Sequence, residues 1–275
     1  MRFLIGLLVA LLLTGCFPAK PLPPTAAVRT AAPVLEAPKI ETSVSANPAN
    51  PPQTTTRGIS GIDFVGVSFD SRKHRLVVAD QPDVPGTRYA DSESAARSLR
   101  GFAAVNAGFF TPEGTPLGLV VSSGEIAGVW NSASSLGSGA WHQNPAGVTA
   151  ISRREKLGRA GAVAMRELIQ AGPLLVENSR SVSGLEATKS SARTLILWDG
   201  GARWWMGCSS PCTLAAISQA LATGEPAGWP VRSALNLDGG RSSDLWISAA
   251  ITGGPVLQRL PWNRPVRNFL VLVAK

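Results

Sequence analysis

Three short, mostly apolar runs in this chain each end in a glycine-bearing corner. Ala103-Ala104-Val105 enters Asn106-Ala107-Gly108-Phe109-Phe110, a second corner reads Gln170-Ala171-Gly172-Pro173, and Ala234–Leu237 enters Asp238-Gly239-Gly240-Arg241-Ser242-Ser243. Apolar runs this short, stopped by Asn, Gly and Pro, read as strands rather than helices. Neighbouring segments repeat the pattern. Val65, Val67 and Phe69 alternate, Asp70-Ser71-Arg72-Lys73 turns, and Leu76-Val77-Val78 returns, which predicts a hairpin. Leu119-Val120-Val121 followed by Ser123-Gly124 predicts another, while Leu174–Val176, Leu195–Trp198 and Phe269–Val273 add strands. Two helices stand out. Asp91 caps a short one with Ala95, Ala96 and Leu99 on one side. Thr213 caps the other, which puts Leu214, Ile217 and Leu221 on one face and stops at Gly224 in a left-handed turn. The expected class is α+β: mixed or antiparallel sheets with a few short helices, in a single domain.

That domain follows a different kind of chain. Residues 17–57 hold nine of the 21 prolines, with many Ala and Thr, and bury too little apolar surface to fold. Before them, Met1-Arg2 and the apolar run Phe3–Leu13 are too short for a membrane span and end in Leu13-Thr14-Gly15-Cys16. This ending resembles the lipobox of bacterial lipoproteins, which implies lipidation of Cys16; an ordinary secretory signal with an incidental cysteine is the alternative. The expected organisation is a signal peptide over 1–15, a lipidated Cys16 with a disordered Pro/Ala/Thr-rich tether over 16–57, and a folded domain over 58–275. Phe17, where Asp commonly marks inner-membrane retention, favours an outer-membrane anchor facing the periplasm of the cell envelope. In that oxidising compartment Cys208 and Cys212, four apart, predict a local disulfide, and the only histidines, His74 and His142, are too distant in sequence to complete a zinc site. The net charge of +8 suits an anionic substrate or envelope surface. No Lys/Arg cluster interleaves with aromatics, which argues against a nucleic-acid groove.

The corners could each be a strand-ending turn, and Asp238-Gly239 between apolar runs is a strong hairpin signal in its own right. Their order, however, resembles the phosphodiester glycosidase family. The Asn-Ala-Gly-Phe-Phe segment, Pro116-Leu117-Gly118, Gly172-Pro173-Leu174-Leu175-Val176, Arg193 after the next linker and Leu237-Asp238-Gly239-Gly240 carry the resemblance across roughly residues 60–273. It implies that the corners converge on one pocket, and that the substrate is a sugar-1-phosphate diester cut at the anomeric carbon. Asn106, Arg193 and Asp238 are then the expected catalytic residues. Gly239, Gly240, Ser242, Ser243, Gln170 and Arg241 are the expected substrate contacts, although Arg241 departs from the family's usual residue and could equally narrow the pocket.

Residue chemistry is compatible with that reading. Glycoside hydrolysis commonly uses two carboxylates, yet Asp238 is the only one inside these motifs. A phosphate monoester leaves easily, its second pKa being about 6. One carboxylate to stabilise the oxocarbenium-like centre or activate water, and one arginine to hold the phosphate, are then sufficient. Glu113 and Asp244 are the candidates for a second carboxylate, and Trp246 and Trp262 for sugar-stacking platforms. His142 reads as a polar strand-end residue rather than a general acid. No cofactor is expected; Asp238 with Asn106 is the pair available to a divalent cation. The expected partners are a phosphorylated glycan or sugar phosphodiester, the membrane through Cys16, and no nucleic acid. A non-catalytic phosphoglycan-binding or structural lipoprotein is the competing reading.

Overall fold

A β-rich chain with apolar residues on both faces of its strands must stack sheets or cover them with helices. A computed structural model describes residues 51–275; Cys16, the lipobox-like segment and most of the proline-rich stretch lie outside the described residues. The first half contains β1 (Gln53–Ile59), β2 (Ile62–Asp70), β3 (His74–Asp80), α1 (Ser92–Ser98), β4 (Ala103–Asn106), β5 (Val120–Ser122), β6 (Glu125–Ala127), β7 (Gly139–Gln143) and β8 (Thr149–Arg153). Then follow α2 (Arg154–Val163), β9 (Glu167–Ala171), β10 (Leu174–Glu177), β11 (Arg180–Ser181), β12 (Ser191–Trp198) and β13 (Arg203–Cys212). The chain ends with α3 (Leu214–Thr223), β14 (Ser233–Asn236), β15 (Asp244–Ile247), β16 (Val256–Arg259) and β17 (Asn268–Ala274).

These strands form three sheets: a seven-stranded one ordered β1-β2-β13-β12-β14-β10-β11, and two five-stranded ones ordered β16-β15-β4-β17-β3 and β6-β5-β9-β7-β8. Every strand pair is antiparallel, which narrows the expected mixed arrangement. The sheets share a central core in which Val67, Ile196 and Met206 of the first meet Val78, Val105 and Leu270 of the second and Val120, Trp141 and Ile169 of the third. The α3 face of Ile217 and Leu221 covers the other side of the first sheet, against Phe64, Leu195, Leu197 and Trp205. Ala95 and Ala96 of α1 cover the second sheet, against Ala104, Phe269 and Val271.

Several expectations change here. β2 and β3 do not form a hairpin: β2 pairs with β1 and β13, β3 with β17, so Asp70–Lys73 is a corner between sheets. Buried Asp70 holds that corner by accepting the Arg72 N–H at 2.8 Å and its guanidinium. β1 starts inside the stretch expected to be tether, where Thr54, Thr55 and Thr56 supply β-branched residues for pairing with β2. Gly224 stops α3 in extended rather than left-handed backbone, and a Cβ there would meet Ile59 at 2.7 Å. The β5–β6 hairpin stands, with Ser123 and Gly124 both at positive φ as its two-residue turn requires.

The disulfide is not formed. Cys208 and Cys212 are free, buried thiols on β13. A bulge between Ser191/Arg193 and Cys212/Ser209 reverses the alternation, so Cys208 packs in the central core and Cys212 in the core beneath α3, on opposite faces of the sheet. Burial also pushes the Cys208 thiol up to about 12, leaving it protonated and unreactive. The melting temperature is therefore expected to be the same with and without a thiol reductant, and iodoacetamide is expected to leave Cys208 and Cys212 of the native protein unlabelled by mass spectrometry.

Candidate active site

The Asp238 corner is not a hairpin, because the strands on either side belong to different sheets. β14 lies in the first sheet and β15 in the second, so Leu237–Ser243 carries the chain across the central core. Gly240 takes φ +60, which favours glycine, and Gly239 lies so close to β12 that a Cβ would meet the Ala192 carbonyl at 2.6 Å. The corner is thus pinned against the start of β12.

Asn106, at the end of β4, ties the pieces together. Its amide Nδ2 donates to the Asp238 carbonyl at 2.6 Å, and its Oδ1 accepts the Thr194 hydroxyl at 2.7 Å and the Asp244 N–H at 3.0 Å. The Asp238 N–H in turn donates to the Ala107 carbonyl at 2.9 Å. Asn106 is fully buried, so its side chain acts on the backbone of Asp238 rather than on a ligand. Both lone-pair directions of Oδ1 are taken, so Asn106 and Asp238 do not together present a cation site. Among the described residues no three His, Cys, Asp or Glu side chains cluster as metal ligands.

The Asp238 carboxylate is partly buried and faces the Ser242 hydroxyl and the Gly239 N–H. Loss of solvation outweighs those two contacts and pushes its pKa up to about 6. A carboxyl held protonated more tightly in the native state loses stability as pH rises from the ordinary aspartate range through about 6. Strain of this kind, stored in one carboxyl, is what acid–base chemistry near neutrality uses.

Arg193 lies at the start of β12, the stretch against which the corner is pinned. β12 and β14 pair Leu195 with Asn236, and the Leu237 N–H donates to the Thr194 carbonyl at 2.8 Å. The pairing ends there: the Asp238 N–H goes to the Ala107 carbonyl, and Gly239 lies against the backbone of Ala192 and Arg193. The guanidinium is braced by the carbonyls of Cys212, at 3.2 and 3.0 Å, and of Lys189 at 2.9 Å. No ion pair joins it to Asp238 among the described residues.

The remaining expected contacts separate. Gln170 is buried and its amide is fully committed to backbone: Oε1 accepts the Leu119 and Asn131 N–H groups at 3.0 and 2.9 Å, and Nε2 donates to the Asn131 and Gly137 carbonyls at 2.8 and 2.9 Å. It braces the third sheet and leaves no group for a substrate. Ser243 points inward, its hydroxyl 3.3 Å from that of Thr194, whose own proton goes to Asn106. Arg241 turns outward and donates to the Trp262 carbonyl at 3.3 and 3.2 Å, which joins the corner to the following loop. Asp244 is no second carboxylate for the reaction: it is buried, accepts the Ser92 N–H and hydroxyl at the start of α1, and pairs with Arg259 at 2.8 Å. Glu113 is exposed. Trp246 is buried beneath Arg97, whereas Trp262 is exposed. His142 bonds Ser152 at 2.9 Å, and burial lowers its pKa to about 4, so it is neutral. Thr194 was not anticipated; only the alternation of β12, which turns it to the face opposite Arg193, marks it. Asp238 lines neither of the two wide clefts, of about 500 and 430 Å³.

The fold is shared with solved structures, two of which are informative. A hypothetical protein from Synechocystis aligns with a TM-score of 0.55 at 18% identity over 84% of this chain, which spans 64% of that protein. The zebrafish N-acetylglucosamine-1-phosphodiester alpha-N-acetylglucosaminidase catalytic domain, auto-inhibited by its pro-peptide, aligns with a TM-score of 0.52 at 17% identity, over 82% of this chain and 84% of that one. No curated protein matches the chain. The model of the phosphodiester glycosidase (NAGPA) family matches residues 101–273, a stretch that holds Asn106, Arg193 and Asp238, and the chain belongs to that family.

Proposed function

We propose that this chain is a hydrolase that cleaves the bond between a sugar's anomeric carbon and the phosphate of a sugar-1-phosphodiester. The observation that carries this reading is the Asp238 carboxyl, poised near pH 6 on a corner that Asn106 pins and that packs through Gly239 against the backbone of Arg193. The zebrafish relative's name describes the same bond type. In the proposed reaction the phosphate lies toward Arg193, and the C1–O bond breaks with its electron pair leaving on the phosphate monoester. Ionised Asp238 stabilises the positive charge developing at C1 and takes a proton from the incoming water, whose oxygen bonds C1. One carboxylate suffices because the leaving phosphate needs no proton near neutral pH. The reading extends to a lipid anchor at Cys16 in the bacterial envelope and to a phosphorylated glycan as the natural substrate.

Turnover of a chromogenic sugar-1-phosphodiester tests the proposal. Because the ionised form of Asp238 is the active one, kcat/KM is expected to rise about tenfold per pH unit below about 6 and to level off above it. A flat profile from pH 4 to 8, or a fall through pH 6, contradicts the assigned role. One feature favours binding without turnover instead: the Arg193 guanidinium is already engaged by two backbone carbonyls. Binding of a sugar phosphate with no release of reducing sugar would decide for that second reading.

A further inference from the structure

Away from Asp238, a cleft of about 500 Å³ opens along the free edge of β3, between the end of α1 and the β5–β6 hairpin. Four arginines from four segments line it: Arg75 on β3, Arg88 before α1, Arg100 just after α1 and Arg166 before β9. None of the four enters an ion pair among the described residues. Arg88 is steadied by the Tyr89 ring, 5.2 Å away. The acids nearby, Asp80 in the cleft lining and Glu167, which feels the charge of Arg166, have their hydrogen bonds elsewhere. Asp80 is held by Arg267 through two contacts of 2.9 Å, and buried Glu167 is turned to the Val78 and Ser123 N–H groups at 2.9 and 3.2 Å.

Arg100 adds an independent observation. It sits one residue past the C-cap of α1 in the left-handed region, at φ +53, where the Arg100 and Gly101 N–H groups close the helix onto the Arg97 and Ala96 carbonyls. Glycine is usual at that position, and a residue with a Cβ is strained there. The chain thus places a cation on the cleft at a position where glycine would suit the fold better. Val77, Leu99 and Val273 supply apolar surface between the charges. The volume falls within the ordinary ligand range, and guanidinium forks match phosphate oxygens bidentately.

We propose that this cleft binds a ligand carrying at least two phosphate groups, at a site separate from the Asp238 corner and independent of the hydrolase reading. Isothermal titration of the full-length chain with inorganic pyrophosphate and with orthophosphate tests it. Pyrophosphate is expected to bind about tenfold more tightly than orthophosphate, and R75A/R166A to weaken it by about tenfold or more. R100G is the sharper variant: binding is expected to fall about fivefold while the melting temperature holds or rises, because glycine relieves the left-handed strain. Asp238→Asn is expected to leave pyrophosphate binding unchanged. Sedimentation with phosphatidylglycerol vesicles separates two phosphate sources. Vesicle binding that R75A/R166A abolishes and pyrophosphate displaces assigns the phosphates to lipid headgroups; vesicle binding indifferent to both, beside arginine-dependent pyrophosphate binding, assigns a soluble ligand. No heat with pyrophosphate at about 1 mM, or equal affinity in the wild type and both variants, overturns the proposal and leaves the arginines a solvated face.

Discussion

Asp238→Asn is expected to lower kcat on a sugar-1-phosphodiester by about a thousandfold or more, with KM little changed. That loss corresponds to about 4 kcal/mol of transition-state stabilisation, within reach of a carboxylate that meets developing positive charge in a partly desolvated corner. The amide keeps the shape of the side chain and the backbone bonds to Asn106 and Ala107, so the geometry has no reason to change. Its effect on stability runs the other way. Above pH 6 the native protein holds an ionised carboxylate against its solvation preference, and a neutral amide removes that penalty. The melting temperature at pH 8 is therefore expected to stay level or rise. Loss of activity with a stable fold marks a group kept for chemistry; unchanged turnover in the folded variant would remove Asp238 from the mechanism.

Asn106→Leu carries the largest expected cost in stability. It fills similar volume but strands the Asp238 carbonyl, the Asp244 N–H and the Thr194 hydroxyl in a buried setting. Each unpaired buried group costs about 1–3 kcal/mol. Thr194 retains a contact to Ser243 at 3.3 Å, which leaves a loss on the order of 3 kcal/mol, measurable by urea denaturation. In protein that still folds, kcat is expected to fall more than KM rises, and the acid limb of the pH profile to move, because the Asp238 backbone is no longer held. A variant as stable as the wild type would show that the Asn106 network holds nothing together.

Strand existence was largely legible from periodicity, and sheet membership was not. The alternation of Val65, Val67 and Phe69 and the apolar run at Leu76 are both real strands, but a local turn cannot tell whether β2 and β3 pair or part company into different sheets. The same ambiguity made Asp238-Gly239 read equally as hairpin or site, and it was resolved only by the destinations of β14 and β15. The cysteine pair failed for a related reason. Spacing by four suggests proximity, yet one bulge on β13 sent the two thiols to opposite faces. Motif order did point to Asn106 and Asp238, which are hydrogen-bonded neighbours. It missed the division of labour, because Asn106 acts through Thr194 and Asp244, 88 and 138 residues away in the chain. Gln170 shows the converse: a polar residue in a conspicuous corner, fully used by backbone amides that no sequence pattern announces.

The central claim is that the bond broken lies on the sugar side of the phosphate. Hydrolysis of a defined sugar-1-phosphodiester in water enriched in oxygen-18, with mass analysis of both products, tests it directly. The account predicts the label in the sugar hydroxyl at C1 and none in the phosphate monoester, with release lost in Asp238→Asn. Label in the phosphate, or no release from the wild-type protein at any pH between 5 and 8, contradicts it.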